Sequence, residues 1–293
     1  MSIFTGSGVA IVTPFKENMD VDFAKFEELL EFQISAGTDA IVVVGTTGEA
    51  STLTDEEQAE VVEFAVKKVN GRVPVIAGAG SNDTRHGVNL SKMCEAAGAD
   101  ALLQVTPYYN KTSQRGLLMH YEAIDKAVKI PNIAYSVPGR TSMHIEPQTV
   151  KALSEMDTFV ALKDATGNLA YTAKVKSLVG DDFDIYSGND DVVVPLMSLG
   201  GKGVISVWAN VFPEAVHKMC HDFFAGDIKS AAEIQVKYKK FIDALFMEPS
   251  PIPVKAAMNL KGFNVGGLRL PLCDASENTV ATLREIMEEL GEL

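Results

Sequence analysis

The sequence predicts an α/β fold, a (β/α)8 barrel (TIM barrel) followed by a small helical C-terminal domain. Two observations predict it. Short apolar runs of strand length alternate with helical patterns eight times as far as residue 212, and beyond Phe212-Pro213 the strand signal stops. Eight such units in succession favour closure into a barrel with helices outside. Periodicity alone leaves an open doubly wound sheet as the alternative.

The strands are expected at residues 8–13, 40–44, 73–77, 101–105, 132–135, 159–163, 183–186 and 203–207. Several are almost entirely Val, Ile, Leu and Ala, as strands covered on both faces are. Among the intervening helices the clearest start is Thr54-Asp55-Glu56-Glu57, a capping box that opens an apolar stripe through Val61, Val62, Ala65, Val66 and Val69. Asn70-Gly71 is its stop signal, and Ala97-Gly98 and Leu199-Gly200-Gly201 end two more helices shortly before a strand. Past the barrel, residues 215–224, 228–246, 253–261 and 277–290 read as helices. The expected division is a catalytic barrel over 1–225 and a helical domain over 226–293.

Composition narrows the function classes. A net charge of -13 repels polyanions, so neither nucleic acid nor an anionic membrane surface is an expected partner. The apolar runs are too short to span a bilayer, and no signal peptide precedes Gly8. The three cysteines, Cys94, Cys220 and Cys273, are widely separated and fit a reducing cytoplasm better than a disulfide framework. His217 and His221 lie one helical turn apart, but without a third ligand or a zincin glutamate. No metal and no organic cofactor is expected, and no Gly-rich dinucleotide fingerprint is present.

In such barrels the active site forms where the strands end. Strand two ends in Gly45-Thr46-Thr47-Gly48-Glu49, strand four in Thr106-Pro107-Tyr108-Tyr109-Asn110, strand five in Tyr135-Ser136-Val137-Pro138-Gly139-Arg140-Thr141, and strand six in Ala161-Leu162-Lys163-Asp164. Lys163 is the odd member. A lysine closing an apolar strand either escapes to solvent or points into the barrel mouth, where desolvation lowers its pKa and makes a nucleophilic amine. Such an amine attacks a ketone to form an iminium, which acidifies the adjacent carbon. Tyrosine and threonine hydroxyls from neighbouring strand ends can carry the protons. Taken singly each element has a plainer reading: Lys163 a solvated lysine, Thr46-Thr47-Gly48 a β-turn, Tyr108 and Tyr109 surface aromatics, Tyr135 a packed ring, Arg140 a turn residue. Their common destination at one mouth favours the chemical reading.

The same segments, GTTGE (45–49), TPYYN (106–110), YSVPGRT (135–141), LKDATGN (162–168), SGND (187–190), GVISV (203–207) and EPSPIPVK (248–255), occur in an order that resembles the dihydrodipicolinate synthase family over nearly the whole chain. The resemblance implies a class I, Schiff-base lyase that condenses pyruvate with L-aspartate 4-semialdehyde on the diaminopimelate route to lysine. It implies that Lys163 carries the Schiff base and that Thr46, Tyr135 and Tyr109 form a proton relay, with Tyr109 supplied across a subunit contact in a homotetramer (a dimer of dimers). Thr47 would hold the pyruvate carboxylate, Gly188 and Ile205 would line the pocket through backbone carbonyls, and Arg140 would meet the carboxylate of the second substrate.

The Gly-Arg-Thr continuation separates this chain from the family's sialic acid lyases and sugar-acid aldolases, which are the runner-up reading; a non-catalytic keto-acid-binding barrel is a third. Three departures stand out. Ser136 and Asp164 replace a commoner Asn and Glu. Trp208 replaces a small residue and either narrows the mouth or fills a contact. Asp55, Gln58 and His86 stand where lysine-sensitive relatives carry histidines and a glutamate, which implies weak or absent inhibition by L-lysine.

Overall fold

The computed structural model describes residues 2–293. Eight parallel strands close in sequence order into a barrel: β1 (Gly6–Ala10), β2 (Ala40–Val43), β3 (Val75–Gly78), β4 (Ala101–Val105), β5 (Asn132–Ser136), β6 (Phe159–Asp164), β7 (Asp184–Ser187) and β8 (Gly203–Ser206). Closure is made by β1, whose Gly8 sits opposite Ala40 on one side and Ile205 on the other. The open-sheet alternative is thereby excluded. The first strand ends before residues 11–13, which leave the sheet as Val12 N turns to donate to the side chain of Asn210.

The helix Asp55–Val69 shows why the local signals were reliable. Thr54 Oγ1 accepts from Glu57 N at 3.2 Å, the Glu57 carboxylate accepts from Thr54 N at 2.9 Å, and Asn70 ends the helix in the left-handed region at φ 50°. A cap of this kind contributes about 1 kcal/mol. Val61, Val62, Ala65 and Val69 face inward against the sheet and are buried.

Strand alternation then sorts side chains between two apolar cores. One set faces the surrounding helices. The other, including Val42, Ile76, Leu103, Ile133, Ala161 and Ile205, fills the barrel interior. Phe4 closes its floor by stacking on Tyr186 at 4.3 Å between centroids, and Tyr186 Oη donates to Phe4 O at 2.7 Å. Two residues beyond Ile133 and Ala161 come Tyr135 and Lys163, on the same inward face and at the open end.

After the barrel come the helices Ile228–Lys237, Lys239–Ala244, Ile252–Leu260 and Glu277–Glu289. One helix was expected over 228–246; it breaks at Tyr238. The ring of Tyr238 lies 4.9 Å from Trp208 and 5.3 Å from Phe212, and this packing takes precedence over a continuous helical pattern. Trp208 is fully buried there, so it fills a contact behind the barrel and does not narrow the mouth. Among the described residues no helix is long and apolar enough to cross a membrane.

Candidate active site

The strand ends surround a cavity of about 600 Å³ lined by Thr46, Thr47, Tyr108, Tyr135, Arg140, Lys163 and Gly188, among others. Of the eight residues singled out in the sequence, six therefore meet in one chamber. The other two lie elsewhere. Ile205 is fully buried in the barrel interior and Tyr109 is 94% exposed, so within one chain the inward-facing tyrosine of that pair is Tyr108.

Lys163 and Tyr135 hold the centre. They are paired in register on β6 and β5, and Lys163 Nζ lies 4.3 Å from the centroid of the Tyr135 ring. Burial lowers Lys163 from 10.5 to about 8; Asp190 works against that shift and Arg140 adds to it. Burial pushes the Tyr135 phenol up to about 12, with Arg140 pulling the other way. At neutral pH the chamber thus offers an amine that gives up its proton readily and a phenol that keeps its own. Gly188 makes room for the lysine: a Cβ there would meet Lys163 Cε at 3.0 Å and Ala165 Cβ at 2.7 Å.

The loop carrying Thr46 and Thr47 has an unusual backbone. Val44, at the exit of β2, has φ 46° and Glu49 has φ 57°. A β-branched residue in the left-handed region costs on the order of 1–3 kcal/mol, and such strain clusters at functional sites. Gly78 permits it, because a Cβ there would come within 2.2 Å of Val44 O. Thr13 Oγ1 donates to Gly48 O and Glu49 N donates to Thr46 O, which fixes the turn between the two strained residues.

Arg140 sits at the rim in the short helix Pro138–Thr141, where Nη2 donates to Ser250 O at 3.0 Å. Thr141 steadies that helix by bonding Thr106 Oγ1 at 3.0 Å. Asp164 turns away from the chamber and accepts from Thr166 and Thr172, shaping the loop after β6. At the far end of the cavity His86 Nε2 pairs with Asp55 at 2.9 Å.

Three charged residues were missed in the sequence. Asp190 is buried, its Oδ2 accepting from Val207 N and Trp208 N at 3.0 and 2.9 Å, and burial raises its pKa. Glu49 and Lys255 form a fully buried ion pair at 2.6 Å. Each ends one of the segments quoted above, GTTGE, SGND and EPSPIPVK, but no spacing in the sequence pairs it with the partners that bury it.

Among the described residues no group of three or more His, Cys, Asp or Glu could hold a metal ion. His217 instead pairs with Asp39 at 3.2 Å. Burial pushes the thiols of Cys94 and Cys220 upward, Cys94 to about 12, which makes both poor nucleophiles.

The model of the dihydrodipicolinate synthetase family matches residues 3–290. The chain belongs to that family. A family member from Acetivibrio thermocellus, a 4-hydroxy-tetrahydrodipicolinate synthase, is 53% identical over 289 residues, covering 99% of this chain and 98% of the relative. The dihydrodipicolinate synthase of Thermotoga maritima superposes with a TM-score of 0.97 at 41% identity, covering all of both chains. That of Acinetobacter baumannii, solved in complex with pyruvate, gives a TM-score of 0.96 at 42% identity over 99% of each chain. The family activity is that of a class I aldolase-type lyase of lysine biosynthesis, 4-hydroxy-tetrahydrodipicolinate synthesis, and this chain is an enzyme of that type.

Proposed function

We propose that this chain condenses pyruvate with L-aspartate 4-semialdehyde through an iminium on Lys163. The observation that carries the proposal is a buried lysine, with its pKa lowered to about 8, held over the Tyr135 ring at the mouth of the barrel. The neutral amine adds to the keto carbon of pyruvate, and the carbonyl oxygen leaves as water to give the iminium. Loss of a proton from the methyl carbon yields an enamine. That carbon attacks the aldehyde of the second substrate, and the new alkoxide is protonated. Attack of the second substrate's own amine on the iminium carbon then closes the ring and frees Lys163.

Tyr135 and Thr46, both on the chamber wall, are the proton carriers, joined by Tyr109 from a neighbouring subunit. Thr47 holds the pyruvate carboxylate through its hydroxyl and backbone N–H. Gly188 and Ile205 contribute backbone carbonyls, and Arg140 at the rim meets the carboxylate of the semialdehyde. The near-complete exposure of Tyr109, an aromatic beside the chamber, supports a homotetramer in which it is covered. Two buried thiols and no disulfide support the cytoplasm. We retain the division at residue 225 between catalytic barrel and helical domain. No cofactor enters the scheme, since the lysine itself supplies the electron sink.

The test is borohydride reduction in the presence of pyruvate followed by peptide mass spectrometry. A pyruvate-sized adduct on the Lys163 peptide, absent from Lys163→Ala, is expected; folded wild-type protein without it would return the non-catalytic barrel to the front. Weak or absent inhibition by L-lysine is supported by the Asp55–His86 pair, whose contact at 2.9 Å stands where sensitive relatives differ. Half-inhibition at micromolar lysine in a steady-state assay would remove that part.

A further inference from the structure

Two motifs that mark this sequence contribute charges without a part in the chemistry above: the acidic end of GTTGE and the lysine that closes EPSPIPVK. In the fold these charges meet. Lys255 Nζ lies 2.6 Å from Glu49 Oε1, and the two side chains are 1% and 0% exposed. Lys255 also donates to Gly267 O at 2.8 Å and sits 4.2 Å from the centroid of the Phe15 ring. The other carboxylate oxygen of Glu49 accepts from Arg269 N at 3.1 Å. Both partners of Glu49 thus come from the C-terminal segment. The Arg269 guanidinium carries the network outward to Glu57, Thr52 O and Met19 O.

Such a pair is a poor device for stability, because desolvating two charges offsets most of their attraction. Its location supplies another reason for it. Glu49 closes the loop that begins at the strained Val44 and carries Thr46 and Thr47, and it does so from a left-handed backbone position of its own. A loop with left-handed residues at both ends needs something outside it to hold its conformation. We infer that the Glu49–Lys255 pair positions this loop, so that Thr47 is aimed at the keto-acid carboxylate and pyruvate affinity depends on a lysine outside the chamber. The inference rests on the pyruvate-iminium reading. Glu49 and Lys255 are positioning residues, acting through Thr46 and Thr47.

The experiment compares wild type, Glu49→Gln, Lys255→Met and the doubly neutral Glu49→Gln/Lys255→Met. For each, the pyruvate concentration giving half-maximal borohydride trapping is measured, with the KM of both substrates and the circular dichroism of the fold. Glu49→Gln leaves a lysine whose pKa is already lowered by burial and which can shed its proton, so a folded variant is expected. Where Lys255→Met strands the carboxylate and fails to fold, the double variant carries the same test. The expected result is a rise of about 10–100-fold in the half-trapping concentration and pyruvate KM. Trapping should remain complete at saturation, and the KM of the semialdehyde should stay within about twofold. Unchanged pyruvate half-saturation, with the loss confined to thermal stability, would overturn the inference, as would unfolding of every variant. An unmodified Lys163 in the wild type would bring down the pyruvate reading itself, and this inference with it.

Discussion

Lys163 Nζ stands 4.3 Å from the centroid of the Tyr135 ring, on the strand next to it and in direct register. The π face solvates the ammonium only weakly compared with water, so the cation is tolerated but not secured. With Asp190 the opposing influence and Arg140 a reinforcing one, the lysine settles at about 8. Iminium formation needs the free amine, so kcat/KM for pyruvate should fall about tenfold per unit below pH 8 and level off above it. A pH–rate profile from pH 6 to 10 checks this; a profile flat down to pH 6 would mean that another group limits the step.

The same shift has a stability consequence. The pKa of Lys163 is lower in the folded chain than its ordinary 10.5, so between about pH 8 and 10.5 the unfolded chain binds more protons and stability rises with pH. Below pH 8 the ammonium is present in both states and the fold carries the whole penalty, about 3 kcal/mol for a shift of this size. Lys163→Met fills the same space without a charge. It should be inactive yet melt several degrees higher than wild type at pH 7, with the gap closing above pH 10. Equal melting temperatures at pH 7 would show that the loss of Asp190's partner cancels the gain.

The reasons Lys163 was legible in the sequence and Asp190 was not are physical. Ala161 and Lys163 share a face because strands alternate, and an apolar run leaves its terminal lysine few places to go. Asp190 sits in a polar Ser-Gly-Asn-Asp-Asp run, and the N–H groups of Val207 and Trp208, just past β8, hold its carboxylate in the interior. Glu49 and Lys255 were hidden for the same reason, since each partner is supplied by the far end of the chain. Tyr108 and Tyr109 are alike by pattern, and only the family resemblance singles out Tyr109 as the ring that crosses a subunit contact. A φ of 70° at Tyr109 sends that ring outward, and no pattern of neighbours encodes it. Tyr238 shows the converse, a helical stripe broken by contacts with Trp208 and Phe212 that periodicity does not register.

Tyr135 should act as an acid with its proton in place, because burial holds the phenol near 12. Tyr135→Phe keeps the ring beneath Lys163 and removes only the hydroxyl. The expected loss is about 100-fold or more in kcat, with a circular dichroism spectrum like that of wild type. Stopped-flow trapping should show the iminium forming more slowly while still reaching completion. A kcat within a factor of two of wild type would take Tyr135 out of the relay.

Arg140 has two effects that one substitution separates. Its guanidinium faces the cavity from the rim and is steadied by Ser250 O. Arg140→Ala should raise the KM of the semialdehyde about 30-fold or more, the order expected for losing a charge-assisted contact. Arg140 also depresses Lys163, so its removal should move the rise in the pyruvate pH profile to a higher pH. A changed KM with an unmoved profile would leave Arg140 as a substrate contact alone.

Tyr109 offers a test of assembly and chemistry together. Its ring is 94% exposed in the single chain, beside the chamber of its own barrel and outside it. If it completes the relay of a neighbour, Tyr109→Phe should lower kcat by about 10–100-fold without changing the fold or the sedimentation of the assembly. Mixed assemblies give the sharper measurement. Lys163→Ala subunits retain Tyr109, and Tyr109→Phe subunits retain Lys163, so each mixed pair rebuilds one complete site from two defective chains. Co-refolding the two variants should therefore give more activity than the sum of the two refolded alone. Mixing that restores nothing, in assemblies shown by mass spectrometry to contain both chains, would confine Tyr109 to its own subunit and remove it from the mechanism proposed for its neighbour.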